Sequence, residues 1–205
     1  DLSNGKITIL PAEAGRTYGF PSWSPDGRHV AVVSAIVRDN RYIYEDMQIT
    51  LLDTTTWKQR TIAAEEGVKF FPFFSDDGNT LYYFKGKKRE SGKTIASRYD
   101  LFAIDLASGH EKKLTDEEFY QAGKGDDDGK TVLFQALPNY QRRIKDALGR
   151  ESTNALFLYN KFAGSVSSIR IDQSSGIFEL TRPLRDKAGN LFFVAAKVRP
   201  GSGRF

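Results

Sequence analysis

One stretch decides the fold of this chain: Phe20-Pro21-Ser22-Trp23-Ser24-Pro25-Asp26-Gly27-Arg28-His29-Val30-Ala31-Val32-Val33. It contains a first apolar segment, a tight turn and a second apolar segment. Pro25 presets the φ angle that a type I turn needs, and Gly27 supplies the positive φ that closes a hairpin. The stretch therefore predicts two antiparallel strands joined by a short turn.

The same unit recurs along the chain. Its turn glycines are Gly27, Gly78, Gly129 and Gly189, with spacings of 51, 51 and 60 residues. A second repeated turn begins at Asp53 and again at Asp105, 52 residues later. A period near 50 residues, built from short strands and turns, is typical of β-propeller blades rather than of helical arrays.

Each repeat predicts one blade of four strands. In the second blade we place them at about 71–75, 80–84, 100–105 and 110–115. Three complete blades then cover about 20–65, 70–117 and 121–174, with partial blades at 1–19 and 175–205. We therefore expect an all-β chain of four-stranded antiparallel blades that forms a segment of a longer propeller.

Composition sets limits on the chemistry. The 205 residues include no cysteine, which leaves out disulfides and thiol chemistry, and no run of 18 apolar residues that could span a membrane. The formal net charge of +4 is mild and predicts no nucleic-acid partner.

The sequence predicts no catalytic residue, cofactor or metal site. His29 and His110 fall in turns of different blades. The acidic run Asp126–Gly129 aligns with ordinary hairpin turns in the other repeats rather than with a calcium loop. No Gly-x-Ser-x-Gly elbow occurs, so an acyl-transfer triad has no nucleophile here.

Aromatic residues on the strands are expected to pack blade against blade. They are Trp23, Phe73, Phe74, Phe134 and Phe192. A separate pattern, Tyr140, Ile144 and Leu148 at helical spacing, predicts a short amphipathic helix over 137–149.

The connections from second to third strand are expected to be long and to share one face of the propeller. They cover about 35–47, 85–98 and 137–153, with net charges of −1, +5 and +2. Aromatic residues of the neighbouring interblade segments border the same face. We predict a partner-binding face there that suits an acidic protein. Its candidate residues are Lys85, Lys87, Lys88, Arg89, Lys93, Arg98, Arg142, Arg143, Lys145, Tyr18, Phe20, Phe70 and Tyr120.

The repeat resembles that of the TolB-like propeller family. The resemblance rests on the Trp23–Arg28 motif, on the turn Asp105–Gly109, and on the ending Lys113-Leu114-Thr115. It implies a non-catalytic, protein-binding scaffold of the bacterial cell envelope, located in the periplasm, or alternatively outside the cell or in the cytoplasm. Similar repeats also occur in propellers of S9-type serine peptidases, whose catalytic domain would lie outside this chain, and in carbohydrate-binding or lyase propellers.

Overall fold

The computed structural model describes residues 7, 9, 15–38, 43–86, 98–119, 121–137, 155–169, 177–186 and 188–197. Within these ranges the chain forms strands and turns and no helix. The strands are β1 (Arg16–Trp23), β2 (His29–Arg38), β3 (Ile43–Asp53), β4 (Gln59–Ala63), β5 (Val68–Phe74), β6 (Thr80–Gly86), β7 (Tyr99–Asp105), β8 (Glu111–Lys113), β9 (Gln121–Asp127), β10 (Thr131–Leu137), β11 (Ala155–Asn160), β12 (Ser165–Ser168), β13 (Ile177–Arg185) and β14 (Leu191–Lys197).

These strands form three four-stranded sheets and one two-stranded sheet, and all their named pairs are antiparallel. Each sheet keeps its strands in sequence order, β1 to β4, β5 to β8, β9 to β12, and then β13 with β14. The first strands contact one another in succession, β1 with β5, β5 with β9 and β9 with β13. The sheets are therefore arranged radially, with these four strands innermost, as in a β-propeller.

The predicted strand positions are confirmed in the second sheet. Its strands cover 68–74, 80–86, 99–105 and 111–113, each within a few residues of the expected bounds. The first sheet begins at Arg16, four residues before the predicted blade boundary.

The turn between the first two strands of a blade has the same hydrogen bonds in the first and second sheets. In the first, Gly27 N donates to Ser24 O over 2.9 Å and Ser24 Oγ lies 2.6 Å from Asp26 Oδ1. Gly27 has a φ of 72°, which glycine adopts without strain. The Ser24 hydroxyl and the backbone N–H of Arg28 both donate to Oδ1 of Asp26 and hold the pKa of that carboxyl below its usual value.

The turn between the last two strands departs from the repeat at one residue. In the second and third sheets glycine takes the left-handed position, Gly109 with a φ of 73° and Gly164 with 62°. In the first sheet Trp57 holds this position with a φ of 57°. A bulky residue in that conformation carries backbone strain.

Successive side chains of a strand point to opposite faces of its sheet, so a sheet can pack against one neighbouring sheet on each face. Ala31 and Ile49 of the first sheet meet Phe74, Leu81 and Tyr83 of the second, and all five are buried. The layer between the second and third sheets is richer in aromatics. Its rings include Phe73, Tyr82, Phe84, Phe119, Phe134 and Phe157. The predicted core roles of Phe73, Phe74 and Phe134 are confirmed.

One repeat position, four residues before each turn glycine, faces the preceding sheet. Phe74 fills it in the second sheet and packs on the first. Gly125 fills it in the third sheet, where a Cβ atom would lie only 2.4 Å from Cζ of Phe73 in the second sheet. The ring of Phe73 therefore occupies the space that a side chain at position 125 would need.

Arg185 lies at the same repeat position in the fourth sheet, where it forms ion pairs instead of apolar contacts. Its Nε lies 3.8 Å from Oδ2 of Asp126, and its guanidinium also contacts the carboxylate of Asp128. Asp127 accepts from Nζ of Lys161 over 2.6 Å. The acidic run thus supplies ion pairs within and between sheets.

The expectation of a buried core role is wrong for Trp23 and Phe192, which are 61% and 54% exposed. Trp23 occupies the position that Phe74 has in the next sheet, but none of the described sheets precedes it. Phe192 lies on β14, which pairs with β13 and has no further strand beside it among the described residues.

The predicted long connection at 35–47 is also wrong. β2 continues to Arg38 and β3 starts at Ile43, with Val37 paired to Tyr44. Apolar residues at 35–37 extend the ladder, so most of this segment is hairpin rather than loop. The predicted helix at 137–149 lies outside the described residues, apart from Leu137 at the end of β10.

Candidate partner-binding face

Four aromatic rings form a continuous cluster, three of them on the innermost strands β1 and β5 and the fourth at the start of β7. The ring centroid of Phe20 lies 5.4 Å from that of Phe70 and 4.7 Å from that of Phe71. Phe70 in turn lies 5.8 Å from Tyr99, edge to face. Tyr99 is buried, whereas Phe20 is 39% exposed. This set of Phe20, Phe70, Phe71 and Tyr99, the aromatic cluster, therefore joins the core to the surface.

The backbone holds two of these rings in an unusual conformation. Phe20 has a φ of 55° and Phe71 a φ of 52°, both left-handed. Each lies where the pairing register of its strand shifts, between Gly19 and Ser22 in β1 and between Phe70 and Phe73 in β5. Such bulges redirect a side chain and occur often beside functional sites.

Residues 64–67, the first connection, join the first sheet to the second and are held by a buried lysine. Lys69 is fully buried, and its Nζ donates to Met47 O over 3.0 Å, to Gly67 O over 3.4 Å and to Glu65 O. Its three N–H groups therefore each have a carbonyl acceptor. Burial, with the nearby charge of Lys85, lowers the pKa of Lys69 to about 8.

Residues 114–119, the second connection, join the second sheet to the third and are held by a buried carboxylate. Oδ1 of Asp100 accepts from Thr115 Oγ1 over 3.0 Å, from Glu117 N over 2.9 Å and from Glu118 N over 3.2 Å. Phe119 and Tyr99 exchange two backbone hydrogen bonds of 2.8 Å. The second connection is thereby fixed against the aromatic cluster.

Lys85 lies in strand β6 rather than in a loop and is engaged within the sheet. Its Nζ is 2.7 Å from Glu65 Oε2 and 2.7 Å from Glu111 Oε1, and the side chain is 15% exposed. Tyr83 donates to the other oxygen of Glu111 over 2.7 Å. The charge of Lys85 is therefore balanced by two carboxylates, that of Glu111 in its own sheet and that of Glu65 in the first connection.

The other predicted face residues divide into two groups. Tyr18, Phe20 and Phe70 lie on innermost strands, and Arg98 precedes β7 with its Nε 4.0 Å from Glu118 Oε2. The structure brings Phe20 and Phe70 together. The rest lie outside the described residues: Lys87, Lys88, Arg89, Lys93, Tyr120, Arg142, Arg143 and Lys145.

Sequence reasoning did not find Lys69, Asp100 or Tyr99. A signal for Lys69 was present, since it is the one cation in the otherwise apolar strand β5. A lysine in such a strand indicates a buried amine with specific acceptors. Asp100 gave no comparable signal, because its partners, the Thr115 hydroxyl and the backbone N–H groups of Glu117 and Glu118, lie 15 to 18 residues further along the chain.

His29 begins β2 of the first sheet and His110 lies in the β7–β8 turn of the second. Over the described ranges, no three His, Cys, Asp or Glu side chains are placed to hold a metal ion. The same residues include no helix long and apolar enough to cross a membrane.

Solved structures share this fold. TolB from Acinetobacter baumannii matches with a TM-score of 0.64 and 18% identity, over 91% of this chain and 39% of that chain. The β-propeller domain of the Trilobed protease from Pyrococcus furiosus matches with a TM-score of 0.54 and 12% identity, over 92% and 59%. Oligogalacturonate lyase from Vibrio parahaemolyticus matches with a TM-score of 0.56 and 16% identity, over 91% and 48%.

The chain therefore has the β-propeller fold of TolB and related propeller proteins. It spans less than two thirds of each of these neighbours. At such identities the likeness concerns the fold alone. No protein-family model matches the chain, and no curated protein matches it.

Proposed function

We propose that this chain is part of a non-catalytic, protein-binding propeller of the bacterial cell envelope, located in the periplasm. The aromatic cluster carries the proposal. It combines a partly exposed ring, Phe20, with three rings that are fixed by packing. Aromatic anchors that are rigid before binding lose little conformational entropy in a complex and often dominate interface energies. The periplasmic assignment rests on the likeness to TolB.

A second candidate is a propeller attached to a peptidase, which would restrict access of polypeptides to a catalytic domain outside this chain. The match to the propeller domain of the Trilobed protease favours it. In that case the aromatic cluster would contact passing substrate segments rather than one lasting partner.

Site-specific photocrosslinking tests the first candidate. p-Benzoylphenylalanine replaces Phe20 in the full-length protein, which is expressed in its native cells. The matched control carries the same residue in place of His110. We expect a discrete adduct with one envelope protein from position 20 and none from position 110. The purified partner should bind the unmodified protein, and Phe20→Ala should weaken that binding by about tenfold or more.

Other outcomes separate the candidates. Adducts with many unrelated polypeptide segments would favour the peptidase propeller. The same adducts from both positions, or a partner whose affinity is unchanged by Phe20→Ala, would refute a binding role for the aromatic cluster.

A further inference from the structure

The surface around the aromatic cluster is acidic in the described part of the chain. Neither the first nor the second connection contains Lys or Arg. Their acidic side chains are Glu65, Glu66, Asp116, Glu117 and Glu118. Glu65 is 69% exposed and Asp116 is 90% exposed. The second connection, bonded to Tyr99, therefore carries carboxylates beside the aromatic cluster.

Neighbouring cations only partly balance this charge. Lys85 is shared between Glu65 and Glu111, and Lys113 is shared between Asp116 and Asp100. Lys69 is fully buried and directed at carbonyl oxygens. Among the described residues, the charged groups of this rim are the carboxylates of Asp46, Asp100, Glu111 and the five connection residues, and the cations Arg16, Lys69, Lys85, Arg98 and Lys113. Eight negative charges against five positive charges leave a net charge of −3 for these described groups.

The two connections are also held in place before any partner arrives. Nζ of Lys69 donates to two carbonyl oxygens of the first connection. Oδ1 of Asp100 accepts from two backbone N–H groups of the second connection. Fixed charges around a fixed apolar centre favour one kind of ligand without a cost of loop ordering.

We propose that the aromatic cluster and its acidic rim bind a cationic segment of a partner protein, one that presents an apolar or aromatic side chain between lysines or arginines. This inference rests on the proposed function and specifies the partner's chemistry. The apolar side chain would contact Phe20, while the flanking cations would face the carboxylates of the two connections. An ammonium or guanidinium group beside the exposed ring would gain cation–π attraction as well.

A cationic ligand is opposite in charge to the acidic partner that the sequence predicts. That expectation used the charges of 85–98 and 137–153, most of which lie outside the described residues. The described rim is negative, and its second connection is bonded to Tyr99 of the aromatic cluster through two backbone hydrogen bonds.

Peptide binding to the intact protein tests the charge preference. The probes are three dye-labelled heptapeptides, Gly-Phe-Lys-Lys-Phe-Lys-Gly, Gly-Phe-Glu-Glu-Phe-Glu-Gly and Gly-Ser-Lys-Lys-Ser-Lys-Gly, followed by fluorescence anisotropy. We expect the Phe/Lys peptide to bind more tightly than either of the others, and its affinity to fall as salt rises. In the double variant Glu66→Gln/Glu117→Gln its affinity should fall about fivefold, since exposed charges contribute modestly. Asp26→Asn, on the opposite face, should leave it unchanged.

The results distinguish this inference from the proposed function. If photocrosslinking from position 20 captures a partner but the Phe/Glu peptide binds as well as or better than the Phe/Lys peptide, the cationic assignment fails and the binding role stands. Equal binding by the Ser/Lys peptide would show non-specific charge attraction and overturn the role of the cluster here. An unchanged affinity in the double variant would also overturn the proposal.

Discussion

Gly125→Ala should destabilise the propeller, although it adds a single methyl group. The added Cβ would lie 2.4 Å from Cζ and 2.7 Å from Cε1 of Phe73, and 2.8 Å from the backbone oxygen of Leu133. Phe73 is buried and stacks on Tyr82 with centroids 5.3 Å apart. The ring must therefore shift by about 1 Å or more, since carbon atoms pack at about 3.5–4.0 Å.

The expected loss in the free energy of unfolding is about 1–3 kcal/mol, the usual cost of overpacking a filled core. Replacing glycine in a strand gains about 0.5–1 kcal/mol, so the net loss falls toward the lower half of that range. Gly19→Ala is the matched control, because Gly19 lies in the innermost strand of the first sheet with no atom within 4 Å of the added Cβ. It should be neutral or slightly stabilising.

Urea unfolding with linear extrapolation measures both variants. A double-mutant cycle with Phe73→Ala adds a direct check, because removing the ring frees the space that the methyl group needs. We expect a coupling of about 1 kcal/mol or more between positions 73 and 125. If Gly125→Ala and Gly19→Ala differ by less than about 0.5 kcal/mol, the close packing of these two sheets is not as described.

Three further predictions concern strain, protonation and charge. Trp57→Gly should raise the free energy of unfolding by about 1 kcal/mol in urea titrations, because glycine takes the left-handed conformation without strain; a loss of stability would mean that packing of the indole outweighs the strain. Folding lowers the pKa of Lys69 from 10.5 to about 8. Between these two pH values the unfolded chain binds more protons than the folded chain, so the free energy of unfolding should rise with pH. The gain should be about 1.5 kcal/mol between pH 8 and 9.5, and Lys69→Met should lack it; equal pH slopes in both proteins would refute the assignment. Asp127→Asn should cost about 3 kcal/mol, because it leaves the ammonium of Lys161 beside a neutral amide, whereas a thermal melt unchanged from the parent protein would show that this ion pair contributes nothing.

The strand order and turns could be predicted because the repeat places them at fixed offsets. Proline, aspartate and glycine at a hairpin have local conformational preferences, so the turn at Gly27 and its counterparts follows from the sequence. Hydrophobic alternation then orients the strands, and the burial of Phe74 and Phe134 follows from it.

Less of the candidate site could be predicted from the sequence. A left-handed φ is rare for a bulky residue, and nothing in the local sequence of Phe20 or Phe71 indicates one. The buried positions of Lys69 and Asp100 depend on acceptors and donors supplied by other segments, which a single strand does not reveal. Loop charge was counted as surface charge, and Lys85 shows why that fails: its ammonium is neutralised within the structure.

The position four residues before each turn glycine limits how interchangeable the blades are. Similar repeats suggest modules that could be duplicated, deleted or exchanged. Yet Phe74 needs a small aliphatic surface, Gly125 needs a neighbour that supplies a ring, and Arg185 needs a carboxylate pair on the sheet before it. Moving one blade alone would place a guanidinium against aliphatic side chains or leave a ring without space. A viable rearrangement of this propeller must therefore carry adjoining blades as matched pairs.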